Sequence, residues 1–423
     1  MTIHLPFVYR SLSSSSDAIG IQLFDPVWKE MFARILEYSI HSCPAYFFIS
    51  VPDMPTSAPK YLRDWQASAG RGFSRDSARD ATVCEAIERA CLLTSGVVDP
   101  RLVSKTQSKV PFSALDWLNY SSGQLHNFLA KAHNNSDRNC EVPVDNLWIN
   151  SKHAVSGKFM ALPATAALFG EDQRLGLPPV FSTSTGTALR DTLEAAERHA
   201  VHELVERDSV AIWWYNHLPA ARLAFDAIVP ALPEAFATWL SDRRRVTWHL
   251  LLPSDLPAFT IVAMSSRRDG SAPAIGAAAS NDPQQAVSSA TLELLQGEIV
   301  LANMRAVQKS DDPPPVPPLL SWSQSTNAFD LDYLAGTEIV KQIPDSVPHE
   351  ALYEHFAAHG IDVYIADLTR PEFRVPVVKA VSPHLRDWLP RFGPGRLYDV
   401  PVALGLRETP TPESELNPIP FVI

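Results

Sequence analysis

Glu203-Leu204-Val205-Glu206-Arg207 is the stretch from which the fold can be read, and Glu85-Ala86-Ile87-Glu88-Arg89 repeats its pattern earlier in the chain. A third form, Glu293-Leu294-Leu295-Gln296, lacks the arginine. Apolar residues recur at helical spacing around the first two: Leu193, Ala196, Ala200, Leu204 and Ala211, and Ala81, Cys84, Ile87 and Cys91. Residues three and four apart share a helix face. Glu85 and Glu88 therefore point together, as do Glu203 and Glu206, with Arg89 and Arg207 one turn beyond the first glutamate of each pair. Such pairs also occur on solvated helices, where they add only about 0.2–0.5 kcal/mol. Recurrence beside the apolar stripe, rather than opposite it, argues for a shared task. Clustered carboxylates repel one another unless cations join them. Mg2+ takes oxygen ligands and commonly bridges carboxylates to nucleotide phosphates, and arginine meets phosphate through a planar fork. Acidic helices with adjacent arginines can thus build a site for ATP and Mg2+.

The usual phosphate-binding signatures are absent. The chain has no G-x-x-x-x-G-K-[ST] run and no G-x-G-x-x-G between a strand and a helix. Gly70-Arg71-Gly72 is expected to form a tight turn leading into the first acidic helix. The 423 residues carry a formal charge of -11, which argues against a general nucleic-acid binder. Of the four cysteines, Cys43, Cys84, Cys91 and Cys140, none forms a C-x2-C pair, and Cys84 and Cys91 read as helix packing in a reducing compartment. The N-terminus lacks a basic start and an apolar signal region. No stretch reaches the roughly 20 apolar residues that span a bilayer, so a cytoplasmic protein is expected.

The coarse organisation predicts helices over about 26–40 (Trp28, Phe32, Ile35 and Leu36 on one side), over 78–93, from Asp191 or Thr192 onward, and from Asp282-Pro283 to about Arg305. Asp caps a helix start and Pro is tolerated at its first position. Strands are expected at Tyr46–Ser50, Leu147–Ile149, 245–252, 259–264, 361–366 and 374–378. The Ala-rich stretch 158–170 has no firm assignment. The 36 prolines, about one residue in twelve against a usual roughly 5%, are spread widely and read as rigid loops.

The ordered motifs resemble the YcaO family, in particular the azoline-forming cyclodehydratases of peptide natural-product biosynthesis. Gly70-Arg71-Gly72-Phe73-Ser74, Ala78-Arg79 and Glu85-x-x-Glu88-Arg89 resemble its first nucleotide-site region. Thr192-Leu193-Glu194-Ala195 leading to Glu203-x-x-Glu206-Arg207-Asp208 resembles the second, and Asn281-Asp282-Pro283 with Ala290, Glu293 and Gln296 the third. The likeness spans about residues 65–300, with a Pro-rich tail added. It implies one α/β (α+β) YcaO-like domain over 1–423, with 1–65 as its N-terminal portion, 311–319 as a Pro-rich internal loop and 408–423 as the tail.

By resemblance, Glu85, Glu88, Glu203, Glu206 and Glu293 would hold Mg2+. ATP would be bound by these residues with Arg10, Ser74, Arg89, Asp191, Glu194, Arg207 and Gln296. Asp191 stands where the family commonly has Asn, and Ala195 where it commonly has Glu, with Glu194 adjacent. The implied reaction adds a Cys, Ser or Thr side chain to the preceding backbone carbonyl of a ribosomally made precursor peptide. ATP then activates the resulting oxygen and a thiazoline or oxazoline closes, leaving ADP and phosphate. Arg89, Arg207 and the terminal carboxylate of Ile423 would assist the chemistry, with the tail Asn417-Pro418-Ile419-Pro420-Phe421-Val422-Ile423 ordered near the site. Expected partners are a leader-peptide-binding subunit and a flavin-dependent azoline dehydrogenase, with no nucleic acid and no membrane. Peptide thioamidation and a noncatalytic peptide- or nucleotide-binding scaffold are the alternatives. His199 and His202 read more simply as structural or supporting residues and the Trp213-Trp214-Tyr215 run as aromatic core, whereas the polar Ser182–Gly186 loop suits either phosphate contact or solvent exposure and Asp208 either orders Arg207 or is a surface charge.

Overall fold

A computed structural model describes residues 10–11, 32–52, 67–104, 108–134, 147–174, 182–310 and 313–421. Three helices carry the acidic motifs, and each starts at a local cap. Helix α1 (Arg75–Leu92) begins at Ser74, whose hydroxyl accepts from the Ser77 N–H at 3.1 Å. Helix α3 (Leu193–Asn216) begins at Thr192, which accepts from Ala195 N–H at 3.1 Å. Helix α5 (Pro283–Val307) begins at Asp282, which accepts from Gln284 N–H at 2.9 Å, with proline at its first position. Such caps satisfy backbone donors that a helix start leaves unpaired.

The remaining longer helices are α2 (Ser122–Asn134), α4 (Glu234–Asp242), α6 (Pro318–Ser325), α7 (Glu350–His359) and α8 (Arg396–Ala403). The strands form three sheets. The first has the order β1 (Arg10–Ser11), β2 (Phe32–Tyr38), β3 (Tyr46–Pro52), β4 (Ser68–Gly72). The second joins β5 (Leu102–Val103), β6 (Trp148–His153), β14 (Tyr364–Asp367), β15 (Val377–Val381) and β8 (Thr187–Leu189), with β7 (Phe159–Pro163) also on β6. The third runs β12 (Ala274–Ser280), β11 (Phe259–Ser266), β10 (Val246–Leu251), β9 (Ala221–Leu223), β13 (Glu338–Val340). Among the described strands, β9 with β13 is parallel and the other pairs are antiparallel. The result is a mixed α/β fold.

Helix α3 ties the sheets together. Ala196, Ala200 and Leu204 pack with Phe356 of α7 and Ala380 of β15, whereas Trp213, Trp214 and Tyr215 enter the core of β10, β11 and α5. Helix α1 buries Val83, Ile87 and Cys91 against Ile149, Leu162 and Val377. Full burial of each large side chain contributes roughly 1.5–3 kcal/mol. Glycine sets how closely helix and strand approach. A Cβ at Gly70 would lie 2.1 Å from the Ala78 carbonyl oxygen, and one at Gly276 would lie 2.2 Å from the Leu294 nitrogen.

Several expectations change. Gly70-Arg71-Gly72 lies in strand β4, because its glycines serve close packing on α1 rather than a turn. The helix expected over 26–40 is a strand from Phe32, zipped to β3 with Leu36 opposite Ile49 and Tyr38 opposite Phe47; residues 12–31 lie outside the described part. The end of the 311–319 loop starts α6. Cys43, Cys84 and Cys91 are free thiols, each pushed up to about 12, chiefly by burial; Cys140 is outside the described residues. Among the described residues, no helix is long and apolar enough to cross a membrane.

Candidate active site

The acidic faces of α1, α3 and α5 meet where the sheets converge. Glu85 accepts from the Ala69 N–H of β4 at 2.7 Å and pairs with Arg89, which also donates to the Ala67 carbonyl at 2.6 Å. Glu88 accepts from the Leu189 N–H of β8 at 2.7 Å. Glu293 accepts from the Ala277 N–H of β12 at 2.7 Å. Helices α1 and α5 thus fix three carboxylates on strand amides, two from α1 and one from α5. Arg71 of β4 crosses to α5, donating to Glu293 at 2.9 Å and to Gln296 at 3.0 Å. Arg207 holds Glu203 at 2.8 Å and Glu206 at 2.9 Å within α3.

The charges register one another. Burial pushes the Glu88 carboxyl up to about 8; Glu203 and Glu85 add to the rise, while the Leu189 amide and Arg190 oppose it. Glu206 is likewise pushed up to about 8, first by burial and then by Glu293 and Glu203, against Arg207 and Arg71. Desolvation works against the Arg207 charge, but Glu206, Glu203 and Glu293 outweigh it. A line of repulsion therefore runs from Glu85 through Glu88, Glu203 and Glu206 to Glu293.

A hard cation would relieve that excess. Five carboxylates are the all-oxygen donor set that Mg2+ accepts, and Arg71, Arg190 and Arg207 supply fixed charge for phosphate. The donor set fits the ion in kind. In the arrangement seen here the carboxylates are engaged by arginines and amides, and among the described residues no three His, Cys, Asp or Glu side chains stand together as a metal cage. The buried Nε of Arg207 and of Arg79 have no hydrogen-bond partner.

Other residues fall elsewhere. At about 100° per residue, Glu194 lies roughly 140° around α3 from the face of His199, Glu203 and Glu206. It is 74% exposed and pairs with Arg198. Ala195, one position on, shares the acidic face, so the neighbouring carboxylate does not take its place. Asp191 is exposed just before the helix cap. Ser74 sits exposed at the start of α1. Arg10 is in β1 opposite Glu37, with its side chain outside the described part. His199 is solvent-exposed although protein surrounds it; desolvation and then Arg190 lower its basicity. His202 instead packs on His349, with ring centroids 5.2 Å apart, so the two histidines do not converge. Asp208 does not order Arg207: it is fully buried and takes Arg396 at 2.7 Å and the Arg386 N–H at 2.9 Å.

Sequence reading did not single out Arg71, Arg190 or Trp388, which the structure brings to this group. The glycines around Arg71 were the available signal. Trp388 places its ring 3.1 Å beneath the Arg207 guanidinium carbon. Phe421 packs on that indole at 5.3 Å and on Trp214 at 5.1 Å, while Trp214 donates to the Ile419 carbonyl at 2.7 Å. The tail is thereby placed one ring away from Arg207; Val422 and Ile423 lie outside the described residues.

The family model "YcaO cyclodehydratase, ATP- and Mg2+-binding" matches residues 69–386. A comparison with curated protein sequences returns no match. Among solved structures, a heterocyclase in complex with substrate and cofactor is 24% identical, with a TM-score of 0.74 over 94% of this chain and 55% of that one. The heterocyclase TruD is 26% identical, with a TM-score of 0.62 over 82% of this chain and 50% of that one. YcaO from Methanopyrus kandleri, bound with AMPPCP and Mg2+, is 19% identical, with a TM-score of 0.54 over 82% and 85%. The chain spans about half the length of the two heterocyclases. With the family model covering the three acidic helices and the strands that hold them, the chain belongs to the YcaO family.

Proposed function

We propose that the chain is an ATP-dependent enzyme that activates backbone amides of a ribosomally made precursor peptide, closing Cys, Ser or Thr residues to azolines. The observation that carries this reading is the convergence of Glu85, Glu88, Glu203, Glu206 and Glu293 with Arg71 and Arg207 at one junction of three helices. These glutamates would hold Mg2+, which when bound supplies charge neutralisation for the nucleotide phosphates. Arg207 and Arg71 would exchange carboxylate partners for phosphate oxygens, and Gln296 keeps Arg71 aimed at α5. Arg89 holds Glu85 against β4. The tail and Trp388 fix the plane of Arg207 from below.

In the chemical step a side-chain oxygen or sulfur adds to the preceding carbonyl carbon. The resulting oxygen takes the terminal phosphoryl group of ATP, releasing ADP. Phosphate then leaves, the amide nitrogen loses its proton, and the ring carbon–nitrogen double bond forms. The likeness to heterocyclases and to a nucleotide-bound YcaO supports this reading. The fold likeness to the E. coli microcin synthetase complex McbBCD with pro-MccB17 bound supports work within an assembly that presents the precursor. A leader-binding subunit, and an azoline dehydrogenase acting later, are the partners proposed.

Intact-mass analysis tests this reading. Candidate precursors are incubated with the chain, neighbouring gene products, ATP and Mg2+. Loss of about one water mass per modified residue is expected, requiring ATP. Exchange of oxygen for sulfur would assign thioamidation instead. An unmodified precursor with every neighbouring product present would contradict the proposal.

A further inference from the structure

Strand β15 is buried along its whole length, Val377-Val378-Lys379-Ala380-Val381, and a lysine stands in its middle at 1% exposure. Such a position ordinarily takes an apolar residue. Lys379 lies opposite Thr187 of β8 and reaches back along the preceding loop. Its ammonium donates to the carbonyls of Thr183 and Thr185, the latter at 2.6 Å. The loop is pinned at two further points. The Ala380 N–H donates to the Gly186 carbonyl at 2.7 Å, and Thr183 donates its hydroxyl to Asp387 at 3.0 Å. Gly186 has φ +76, and a Cβ there would lie 2.3 Å from the Ala380 carbonyl oxygen, so the loop has little room to shift.

Both ends of this arrangement lead to the acidic site. Downstream of the loop, the Leu189 N–H holds Glu88. Asp387, which receives Thr183, immediately precedes Trp388, the ring beneath Arg207. We propose that Lys379 is a positioning residue of the nucleotide site: by clamping the 182–186 loop it holds the Leu189 amide on Glu88 and the Asp387–Trp388 step under Arg207. This rests on the nucleotide-binding reading given above.

Fold stability alone does not account for the lysine. Burial lowers its pKa to about 8; Glu203 and Asp387 favour the charge, and Arg391 and Arg207 oppose it. Between about 8 and 10.5 the unfolded chain binds the proton that the folded chain has lost, so stability rises with pH there and the charge is a cost at neutral pH. Methionine, similar in length and apolar, would remove that cost while leaving the Thr183 and Thr185 carbonyls without their donor. Opposing terms should leave the melting temperature close to that of the wild type while the loop loses its clamp.

The test measures binding of Mg2+ with AMPPNP, a non-hydrolysable ATP analogue, by calorimetry, together with the melting temperature, for the wild-type chain, Lys379→Met and Lys379→Gln. We expect melting within about 3 °C of wild type and a dissociation constant at least about tenfold higher in a folded variant, the scale of a lost charged hydrogen bond. Unchanged affinity in a folded variant, with the wild type binding, would overturn this inference and leave the nucleotide site standing. Absence of binding to the wild type would overturn both. Failure of both variants to fold would also overturn the inference, by assigning the lysine to folding.

Discussion

Replacing Glu206 with glutamine should make the nucleotide-free protein more stable, and only at higher pH. The Glu206 carboxyl is pushed from 4.5 up to about 8 by burial and by the neighbouring glutamates. At about 1.36 kcal/mol per pH unit, the ionised form costs on the order of 4–5 kcal/mol. Because the side chain keeps 12% of its accessibility, water offsets part of this, and roughly 2 kcal/mol is the working figure. The sign follows from proton linkage. Between 4.5 and about 8 the folded state retains a proton that the unfolded chain has released, so the contribution is full below 4.5 and is lost as pH rises through about 8. Glutamine cannot ionise and keeps an oxygen for Arg207. Urea denaturation at pH 5 and pH 8.5, without Mg2+ or nucleotide, should give similar stabilities for wild type and Glu206→Gln at the lower pH. At the higher pH the variant should lead by ~2 kcal/mol. A difference that is the same at both pH values would refute the reasoning.

Three further outcomes follow from the packing. Gly276→Ala drives a methyl group into the backbone of α5 at Leu294 and should cost about 1–3 kcal/mol, read as a lower melting temperature. Arg396→Met leaves the buried Asp208 without its guanidinium and should cost about 3–5 kcal/mol; a denaturation midpoint equal to that of wild type would show the pair to be dispensable. Trp388→Leu keeps an apolar neighbour for Phe421 but removes the ring beneath Arg207. A desolvated cation–π contact of about 1–2 kcal/mol predicts a rise of roughly five- to thirtyfold in the nucleotide dissociation constant, measured by calorimetry.

The starts of α3 and α5 were legible because a cap is a local signal: Thr192 and Asp282-Pro283 announce helices whatever the rest of the chain does. The grouping of the glutamates was legible because helical spacing places Glu203 with Glu206 and Glu85 with Glu88 on one face. What failed was non-local. Arg71 meets Glu293 across 222 positions, and Thr183 meets Lys379 across 196; no periodicity encodes such pairings. Glycine was ambiguous, since Gly70 signals both a turn and a close approach and only the packed helix decides between them. Phe32, Ile35 and Leu36 suit a helix stripe, but pairing with β3 settles that segment as strand. Glu194 and Ala195 are adjacent, yet that one step of about 100° sends one to solvent and the other to the acidic face.

The central claim is that the three acidic helices bind a nucleotide with its divalent cation. The most direct measurement is calorimetric titration of the chain with Mg2+ and AMPPNP at pH 7, in Pipes and in Tris, whose different ionisation heats report proton exchange. Glu88 and Glu206, both pushed up to about 8, hold protons before the ion arrives, so saturable binding should release protons, and Glu88→Gln and Glu206→Gln should each weaken binding and reduce the release. Absence of saturable binding, or binding without proton release that both variants retain unchanged, would contradict the account.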